Sequence, residues 1–319
     1  MLIETIVSIY QQQVFRTGAV DVEVIVVSRD KTVNSIVVSA LQRREIEIPL
    51  QLINLAQEKS ISHTRNKGAA IASGQYLAFV DSDVRLSANW ASTMLELIEQ
   101  PQVVLVSAVQ VPDIERKVND VIRSAMSETK VGDVVEALPG ANLFLRRDVF
   151  EDSEKFPEHL QTCEDSVFTN SLRGKGKLVL TDQTGFVHLG EDLTFASMFR
   201  KEIWRGKSNL DSMQGRTVSL MEAPSLILPL AILGCAALFL VFFVTGFLLP
   251  ALLCLLGALF PGLFYAFVLK CRARVGLGYH TIVVFYMVYF MARGIGMTQR
   301  LFERAGTLFA QPLRAQSNE

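Results

Sequence analysis

One long stretch without charge constrains the fold of this chain more than any other feature. Residues 224–269 contain no Asp, Glu, Lys or Arg. The stretch is about twice the roughly 20 residues that a helix needs to cross a ~30 Å hydrocarbon core. Gly246 and Pro250 lie near its middle, where they favour a turn. The stretch therefore predicts a hairpin of two membrane helices, at about residues 225–246 and 248–269.

A third apolar stretch leaves the membrane topology open. Residues 281–296 are short for a crossing and are interrupted by Arg293. They are compatible with a crossing at about residues 280–297, a re-entrant segment or an interfacial helix. The sequence thus predicts a charged domain over residues 1–222, a membrane domain with two or three helices over 223–299, and a C-terminal tail over 300–319.

Basic residues flank the predicted hairpin on both sides. They are Arg200, Lys201, Arg205, Lys207 and Arg216 before it, and Lys270, Arg272 and Arg274 after it. Two crossings return the chain to its starting side, and the positive-inside rule makes that side cytoplasmic. We therefore expect an integral protein of the inner or plasma membrane with its N-terminal domain in the cytoplasm. Arg300, Arg304 and Arg314 weakly favour a cytoplasmic tail.

Overall charge and cysteine content argue against nucleic-acid binding and against disulfide or zinc sites. The chain has 31 basic and 32 acidic residues and no polybasic arm, which argues against nucleic acid as a partner. Its four cysteines show no CxxC spacing, and three lie in or beside the most apolar stretch. Disulfides and a zinc site are therefore not expected.

The first 220 residues alternate apolar runs with amphipathic ones. Four runs, residues 22–27, 50–55, 76–80 and 103–109, are typical of strands. Helical periodicity separates them, over residues 36–44, 62–72 and 89–99. Strands joined by helices favour right-handed crossovers, so the pattern predicts an α/β fold with a mostly parallel sheet.

The segment after the third predicted strand carries the clearest chemistry. An apolar strand runs directly into Asp81-Ser82-Asp83, and ligands of open α/β sheets bind at such strand ends. Carboxylates are hard oxygen ligands for Mg²⁺ or Mn²⁺, which are commonly held by one or two carboxylates and substrate phosphates. Taken alone, the triplet favours the other interpretation, a polar turn that caps a helix starting near Ser87.

The surrounding residues resemble the family 2 glycosyltransferases. The matching positions are Arg65, Asn66, Gly68, Ala72, Gly74, Asp81 and Asp83, while Thr64 replaces the alanine common in the family. The resemblance implies a GT-A fold that binds a nucleotide-sugar donor such as a UDP- or GDP-sugar. It places Arg65 and Asn66 at the donor site, Asp81 near the ribose and diphosphate, and Asp83 on the metal with Asp81 beside it.

Two further blocks follow in the order that the family has. Residues 139–150 resemble the family's strand lining the donor and acceptor cleft, which implicates Gly140 and Asn142 in donor binding. The pair Glu164-Asp165 resembles the catalytic acidic pair, with Asp165 as the general base of an inverting displacement. A like charge at Glu164 is one means of raising the pKa of such a base. An isolated acidic pair would otherwise suit a helix cap or a solvated surface.

Two downstream features have alternative interpretations. Residues 199–207 resemble the family's basic-aromatic segment, although the strict QxxRW of processive synthases is absent. Arg200, Trp204 and Arg205 would then bind donor or acceptor. The alternative is a juxtamembrane helix with its indole at the headgroups and its bases on anionic lipid. His188 stands where many family members have histidine, but a lone histidine that ends a strand is commonly structural.

The resemblance fails at the start of the chain. Family members begin with an apolar strand ahead of the helix that residues 4–13 resemble, and no such strand precedes it here. The family's acidic turn after the next strand is reduced to Asp30 as a candidate donor-binding acid. Three accounts are open: a start upstream of Met1, a fold that closes differently, or a degenerate paralogue. We favour the first, because losing a central strand removes a hydrogen-bond ladder from its neighbours.

These features favour one function over two others. The leading hypothesis is an inverting, metal-dependent glycosyltransferase that acts on a lipid-linked or membrane-proximal glycan acceptor in cell-surface polysaccharide or glycolipid synthesis. The altered nucleotide-binding region motivates the alternative of a non-catalytic scaffold in a polysaccharide synthesis complex. A sugar nucleotidyltransferase would need a glycine-rich basic phosphate loop after its first strand, which this chain lacks.

Overall fold

The computed structural model forms two compact units, Met1–Glu191 and Asp192–Glu319. It describes residues 1–55, 60–113, 115, 117–132, 135, 137–211, 223–273 and 275–315, with side chains up to residue 305. Arg216, Arg274 and the charge-based boundary near residue 222 lie outside these ranges. The helix before that boundary packs against the last helix of the chain, which is why it belongs to the second unit.

The first unit alternates helices and strands. Its helices are α1 (Leu2–Tyr10), α2 (Gln13–Arg16), α3 (Thr32–Gln42), α4 (Ile61–Ile71), α5 (Trp90–Ile98), α6 (Val118–Glu128), α7 (Arg147–Glu151) and α8 (Glu164–Ser171), the last followed by a 3₁₀ turn at Leu172–Gly174. Its strands are β1 (Val24–Ser28), β2 (Leu50–Asn54), β3 (Tyr76–Val80), β4 (Val84–Leu86), β5 (Val103–Gln110), β6 (Asn142–Arg146) and β7 (Lys177–His188). The four predicted strands and the three predicted helices are confirmed, with shifts of a few residues.

The expectation of a mostly parallel sheet needs correction. Among the described residues β1 and β2 form a parallel pair, and a second sheet has the order β3-β6-β5-β7-β4. In that sheet β5–β7 is parallel, whereas β3–β6, β5–β6 and β4–β7 are antiparallel. The strands predicted from sequence do share directions, since β3 and β5 both oppose β6. The strands that run in the opposite direction are β4 and β6. No local sequence pattern specifies which strand they pair with.

Strand alternation divides the core of the first unit between the two faces of the larger sheet. Leu143 and Leu145 of β6 point to one face, where α8 also packs, and Phe144 points to the other, which α5 covers. Seven of the eight residues of β5 are buried, as expected for a strand covered on both faces. β3 packs into both layers, with Leu77 and Phe79 on one face and Tyr76 and Val80 on the other.

Among the described residues, β1, β2, β3 and β4 each pair with one strand only. β1 pairs with β2 alone and β3 pairs with β6 alone. Ala78 is exposed although it lies at the centre of β3.

The second unit consists of long helices. They are α9 (Phe195–Asn209), α10 (Ala223–Val244), α11 (Leu248–Arg272) and α12 (Tyr279–Ala315). Three segments are long and apolar enough to cross a membrane: Ala223–Val244, Leu248–Arg272 and Tyr279–Ala305. The third apolar stretch of the sequence is therefore part of a longer helix, in which Arg293 causes no break.

Arg293 is accommodated by an ion pair between α9 and α12. Its Nε donates to Glu202 Oε2 at 2.8 Å, and Glu202 is fully buried. Its guanidinium lies 4.5 Å from the ring centroid of Tyr289. A Cβ on Gly296 would lie 2.1 Å from the carbonyl oxygen of Ile203, so glycine allows the two helices to approach this closely.

We expect Arg293→Met to lower the free energy of unfolding by about 3 kcal/mol, because it leaves a buried carboxylate short of a charged partner. The double variant Glu202→Gln, Arg293→Met should be less destabilised than Arg293→Met. Denaturant unfolding in mixed micelles, followed by circular dichroism, measures both. Equal stability of Arg293→Met and the wild type would contradict a structural role for the pair.

Candidate active site

The Asp81-Ser82-Asp83 triplet forms the turn between β3 and β4. The Asp81 amide donates to the Ala141 carbonyl at 3.0 Å, which ties the turn to the start of β6. Because β4 runs antiparallel to β7, the chain reverses its direction at this turn. The triplet therefore leads into a strand and not into a helix near Ser87, and its two carboxylates lie at the end of β3.

Arg65 connects three blocks that are distant in sequence. From α4, its Nη2 donates to Asp81 Oδ1 at 2.8 Å, and its Nη1 donates to Glu164 Oε1 at 2.8 Å. Nη2 also donates to the Gly140 carbonyl at 3.3 Å. The Arg65 side chain is only 12% exposed. One guanidinium thus holds the β3 end, the loop before β6 and the start of α8 in one cluster.

Asp165 lies next to this cluster on the first turn of α8. Its Oδ2 accepts from the Gly140 amide at 2.8 Å, and its Oδ1 accepts from the Ser166 amide at 2.7 Å. Cys163, the residue just before α8, has a φ of 63°, a left-handed conformation that is uncommon for a non-glycine residue. Asp165 is partly exposed, whereas Glu164 is buried. Of the acidic pair, Asp165 is the more accessible.

The cluster holds more acids than bases. Burial raises the pKa of Glu164, with a further increase from Asp165, and Arg65 opposes both. Burial likewise raises the pKa of Asp81, which Arg65 counteracts and Asp83 increases. The three carboxylates around Arg65 raise the pKa of its guanidinium although burial lowers it. With Asp83 beside Asp81, the site holds four carboxylates and a single guanidinium, a balance that favours an added cation.

His188 joins the site beside Asp83. It ends β7 opposite Val84, and its Nε2 lies 3.7 Å from Asp83 Oδ2. The Leu189 amide donates to the Asp83 carbonyl at 2.6 Å. A Cβ on Gly190 would lie 2.4 Å from Asp83 Oδ2, so this glycine makes room for the carboxylate. The sequence singled out His188 without deciding its role, because the β4–β7 pairing that brings it to Asp83 is not visible locally.

Two of the predicted donor-binding side chains are engaged elsewhere. Asn66 donates to the Phe156 carbonyl at 2.9 Å and accepts from the Phe156 amide at 3.1 Å. Asn142 is fully buried in the sheet, where it accepts from Trp90 Nε1 at 3.0 Å and exchanges two hydrogen bonds with Ala108. Both side-chain amides therefore stabilise the protein structure around the cluster.

The remaining predicted residues are Asp30 in the first unit and three residues of the second unit. Asp30 follows β1 and is exposed, and its Oδ1 accepts from the amide and the hydroxyl of Thr32, which lowers its pKa. Arg200, Trp204 and Arg205 lie on α9 in the second unit. Trp204 is 47% exposed there, and Arg205 donates to the buried Glu202 at 2.6 Å.

Gly140→Ala is expected to destabilise the first unit by about 1–3 kcal/mol through overpacking. The added Cβ would lie 2.9 Å from the Asp165 Cβ and 3.0 Å from Arg65 Nη2. Gly174→Ala is the matched control, because a Cβ there meets no atom within 4 Å. Thermal unfolding measures the effect. If both variants unfold at the wild-type temperature, the tight packing around Gly140 is refuted.

Comparison with known proteins agrees with the order of these blocks. Residues 1–154 match the model of Glycosyl transferase family 2. The match lies within the first unit and supports a family 2 glycosyltransferase. The Arg65, Asp81 and Gly140 blocks all fall within the matched residues, while Glu164 and Asp165 lie just beyond them.

One curated relative and one solved structure extend the family comparison. Glucosyl-dolichyl phosphate glucuronosyltransferase of Haloferax volcanii is 26% identical over 173 residues, which cover 48% of this chain and 55% of the relative. The chain thus spans little more than half the length of that relative. The structure of mannosyltransferase PcManGT from Pyrobaculum calidifontis, in complex with GDP-Man and Mn²⁺, is similar over 93% of this chain and 83% of its own. Its TM-score is 0.65 at 18% identity, so the two share the GT-A fold.

Proposed function

We propose that this chain transfers a sugar from a nucleotide-sugar donor to an acceptor hydroxyl at the membrane. The observation that carries the proposal is the cluster around Arg65. It assembles the Asp81 turn, the Gly140 loop and the Glu164-Asp165 pair from positions up to 99 residues apart in a family 2 domain. A metal-binding turn and an accessible carboxylate then lie on either side of one guanidinium.

Asp165 is the proposed general base. Its carboxylate takes the proton of the acceptor hydroxyl while the acceptor oxygen bonds to the anomeric carbon of the donor. The bond between that carbon and the diphosphate oxygen breaks in the same step, so the nucleoside diphosphate leaves and the anomeric configuration inverts. Two backbone amides fix Asp165 for this role. Glu164 instead positions Arg65, because it is buried and ion-paired with it.

A divalent cation, Mn²⁺ or Mg²⁺, fits the residues at the Asp83 end of the site. Among the described residues no three His, Cys, Asp or Glu side chains converge to hold a metal by themselves. Asp83 and His188 are 3.7 Å apart, too far for a hydrogen bond but compatible with two ligands about 2.0–2.1 Å from one ion. Bound there next to Asp81, the cation would supply positive charge to the leaving diphosphate.

Donor binding is assigned to the backbone and carboxylates at the strand ends. Asp81, Asp30 and the Gly140 loop remain candidates, because each lies at the end of a strand or beside the cluster. Asn66 and Asn142 are weaker candidates, because their amides already serve other hydrogen bonds. Arg200, Trp204 and Arg205 are proposed to contact the acceptor or the lipid headgroups from α9.

The proposed acceptor is lipid-linked. Three helices long and apolar enough to span a membrane support this proposal, and so does the name of the Haloferax volcanii relative, which specifies a dolichyl phosphate-linked sugar. With the catalytic unit on the cytoplasmic side, as the flanking basic residues favour, the active site would face nucleotide sugars made there. The pathway would be that of a cell-surface polysaccharide or glycolipid.

A donor panel tests this function. The full chain in lipid nanodiscs, with Mn²⁺ and membrane extract as acceptor, is given UDP- and GDP-sugars, GDP-mannose included. Release of UDP or GDP with label transferred to lipid is the expected result. The proposal would be refuted if calorimetry detected no metal-dependent binding of any donor and no donor in the panel were turned over. That result would favour the non-catalytic scaffold.

A further inference from the structure

A buried carboxylate lies directly behind His188. Glu191 Oε2 is 3.9 Å from His188 Nδ1, on the side of the imidazole opposite Asp83. The Glu191 side chain is only 8% exposed, and that of His188 is 18% exposed. Asp83, His188 and Glu191 therefore form a row that leads from the proposed metal position into the protein interior.

The Nδ1 atom of His188 is buried and has no hydrogen-bond partner in the described structure. A buried polar nitrogen without a partner costs free energy, so a nearby acceptor is expected to be used in some state of the protein. Glu191 Oε2 supplies such an acceptor after a closure of about 1 Å, which is the excess of 3.9 Å over an ordinary hydrogen bond. That closure would turn Nε2 firmly towards Asp83.

The other side of Glu191 is held by the protein frame. Arg123 Nε lies 2.9 Å from Glu191 Oε1. Gln110 Nε2 donates to Glu191 Oε2 at 3.3 Å and to Asp120 Oδ1 at 3.0 Å. These contacts come from β5 and α6, so the carboxylate behind His188 is fixed by a strand and a helix.

We propose that Glu191 is a positioning residue for His188. Its Oε2 accepts a hydrogen bond from the imidazole Nδ1–H, which leaves the Nε2 lone pair facing Asp83 as a second ligand for the cation. Histidines that bind metals commonly donate their other ring N–H to a carboxylate in this manner, and loss of that carboxylate typically weakens metal binding 10–100-fold. This inference rests on the cation site of the proposed function.

Mn²⁺ affinity gives a test that requires no turnover. Free Mn²⁺ is measured by electron paramagnetic resonance while the full chain is titrated in the presence of UDP or GDP. We expect Glu191→Gln to raise the Mn²⁺ Kd about tenfold, at the lower end of the range for such carboxylates. Asp182→Asn is the matched control, because Asp182 is an exposed carboxylate on the same strand, and its Kd should equal that of the wild type.

A double-variant cycle separates positioning from a general structural role. If Glu191 acts through the imidazole, then Glu191→Gln adds less than twofold to the Kd of His188→Ala, because the coupled effect has already been lost. A wild-type Kd for Glu191→Gln, or a full tenfold effect in the His188→Ala background, would overturn the proposal. Asp83→Ala separates failure of this proposal from failure of the proposed cation site. If Asp83→Ala also binds Mn²⁺ with the wild-type Kd, the cation does not bind at Asp83, and the metal site of the proposed function is wrong.

Discussion

Asp83→Ala is expected to reduce metal-dependent sugar transfer by on the order of 100-fold or more, since charge stabilisation by a cation contributes several kcal/mol. Asp83 faces the space beside His188 Nε2 and is 30% exposed, so a ligand can reach its carboxylate. Removing it takes away the carboxylate that lies next to His188 Nε2. Release of nucleoside diphosphate at saturating donor, together with Mn²⁺ titration, measures the loss.

The control for this variant is a carboxylate outside the site. Asp182→Ala removes an exposed acid from β7 and should leave both turnover and Mn²⁺ affinity unchanged. If Asp83→Ala retains more than one tenth of wild-type turnover in Mn²⁺, the carboxylate is not a metal ligand, and the turn would then be a structural link between β3 and β4.

Asp165→Asn should lower kcat by about 10²–10⁴-fold, the usual contribution of a general base. An asparagine oxygen can still accept from the Gly140 amide, which Asp165 Oδ2 now does at 2.8 Å. The loop before β6 should therefore keep its place, and donor affinity should be unchanged. Calorimetric titration of the donor and steady-state kinetics separate these two quantities.

The neighbouring acid provides the comparison for Asp165. Glu164 is buried against Arg65, so Glu164→Gln should lower the unfolding temperature and reduce kcat less than Asp165→Asn does. A larger loss of kcat in Glu164→Gln than in Asp165→Asn would instead identify Glu164 as the general base. Equal donor affinity in both variants is required before either kinetic effect is read as loss of a base.

Local patterns predict those elements that consist of consecutive apolar residues. The strand Tyr76–Val80 was correct to the residue because a short apolar run followed by acids has few other stable arrangements in water. The strand Val103–Gln110 was predicted for the same reason and differs by one residue. The two shorter or less apolar strands, Val84–Leu86 and Asn142–Arg146, were not predicted as part of the sheet from periodicity.

Long-range pairing decided what local patterns left open. Asn142 follows the family motif and was assigned to the donor, yet its amide bonds to Trp90 and Ala108 within the core. Its role depends on β6 lying between β3 and β5. His188 and Glu191 lie more than 100 residues from Asp83, and only the antiparallel β4–β7 pair brings them together.

By itself, the sequence determined that the chain joins a charged α/β domain to apolar helices, and that carboxylates follow a buried strand. Burial of apolar surface and the length of a bilayer crossing are properties of consecutive residues. Tertiary structure alone decided which acids share Arg65, which histidine faces Asp83, and how Arg293 finds Glu202. Hydrogen bonds and ion pairs act over about 3 Å, so they depend on which distant segments the fold places in contact.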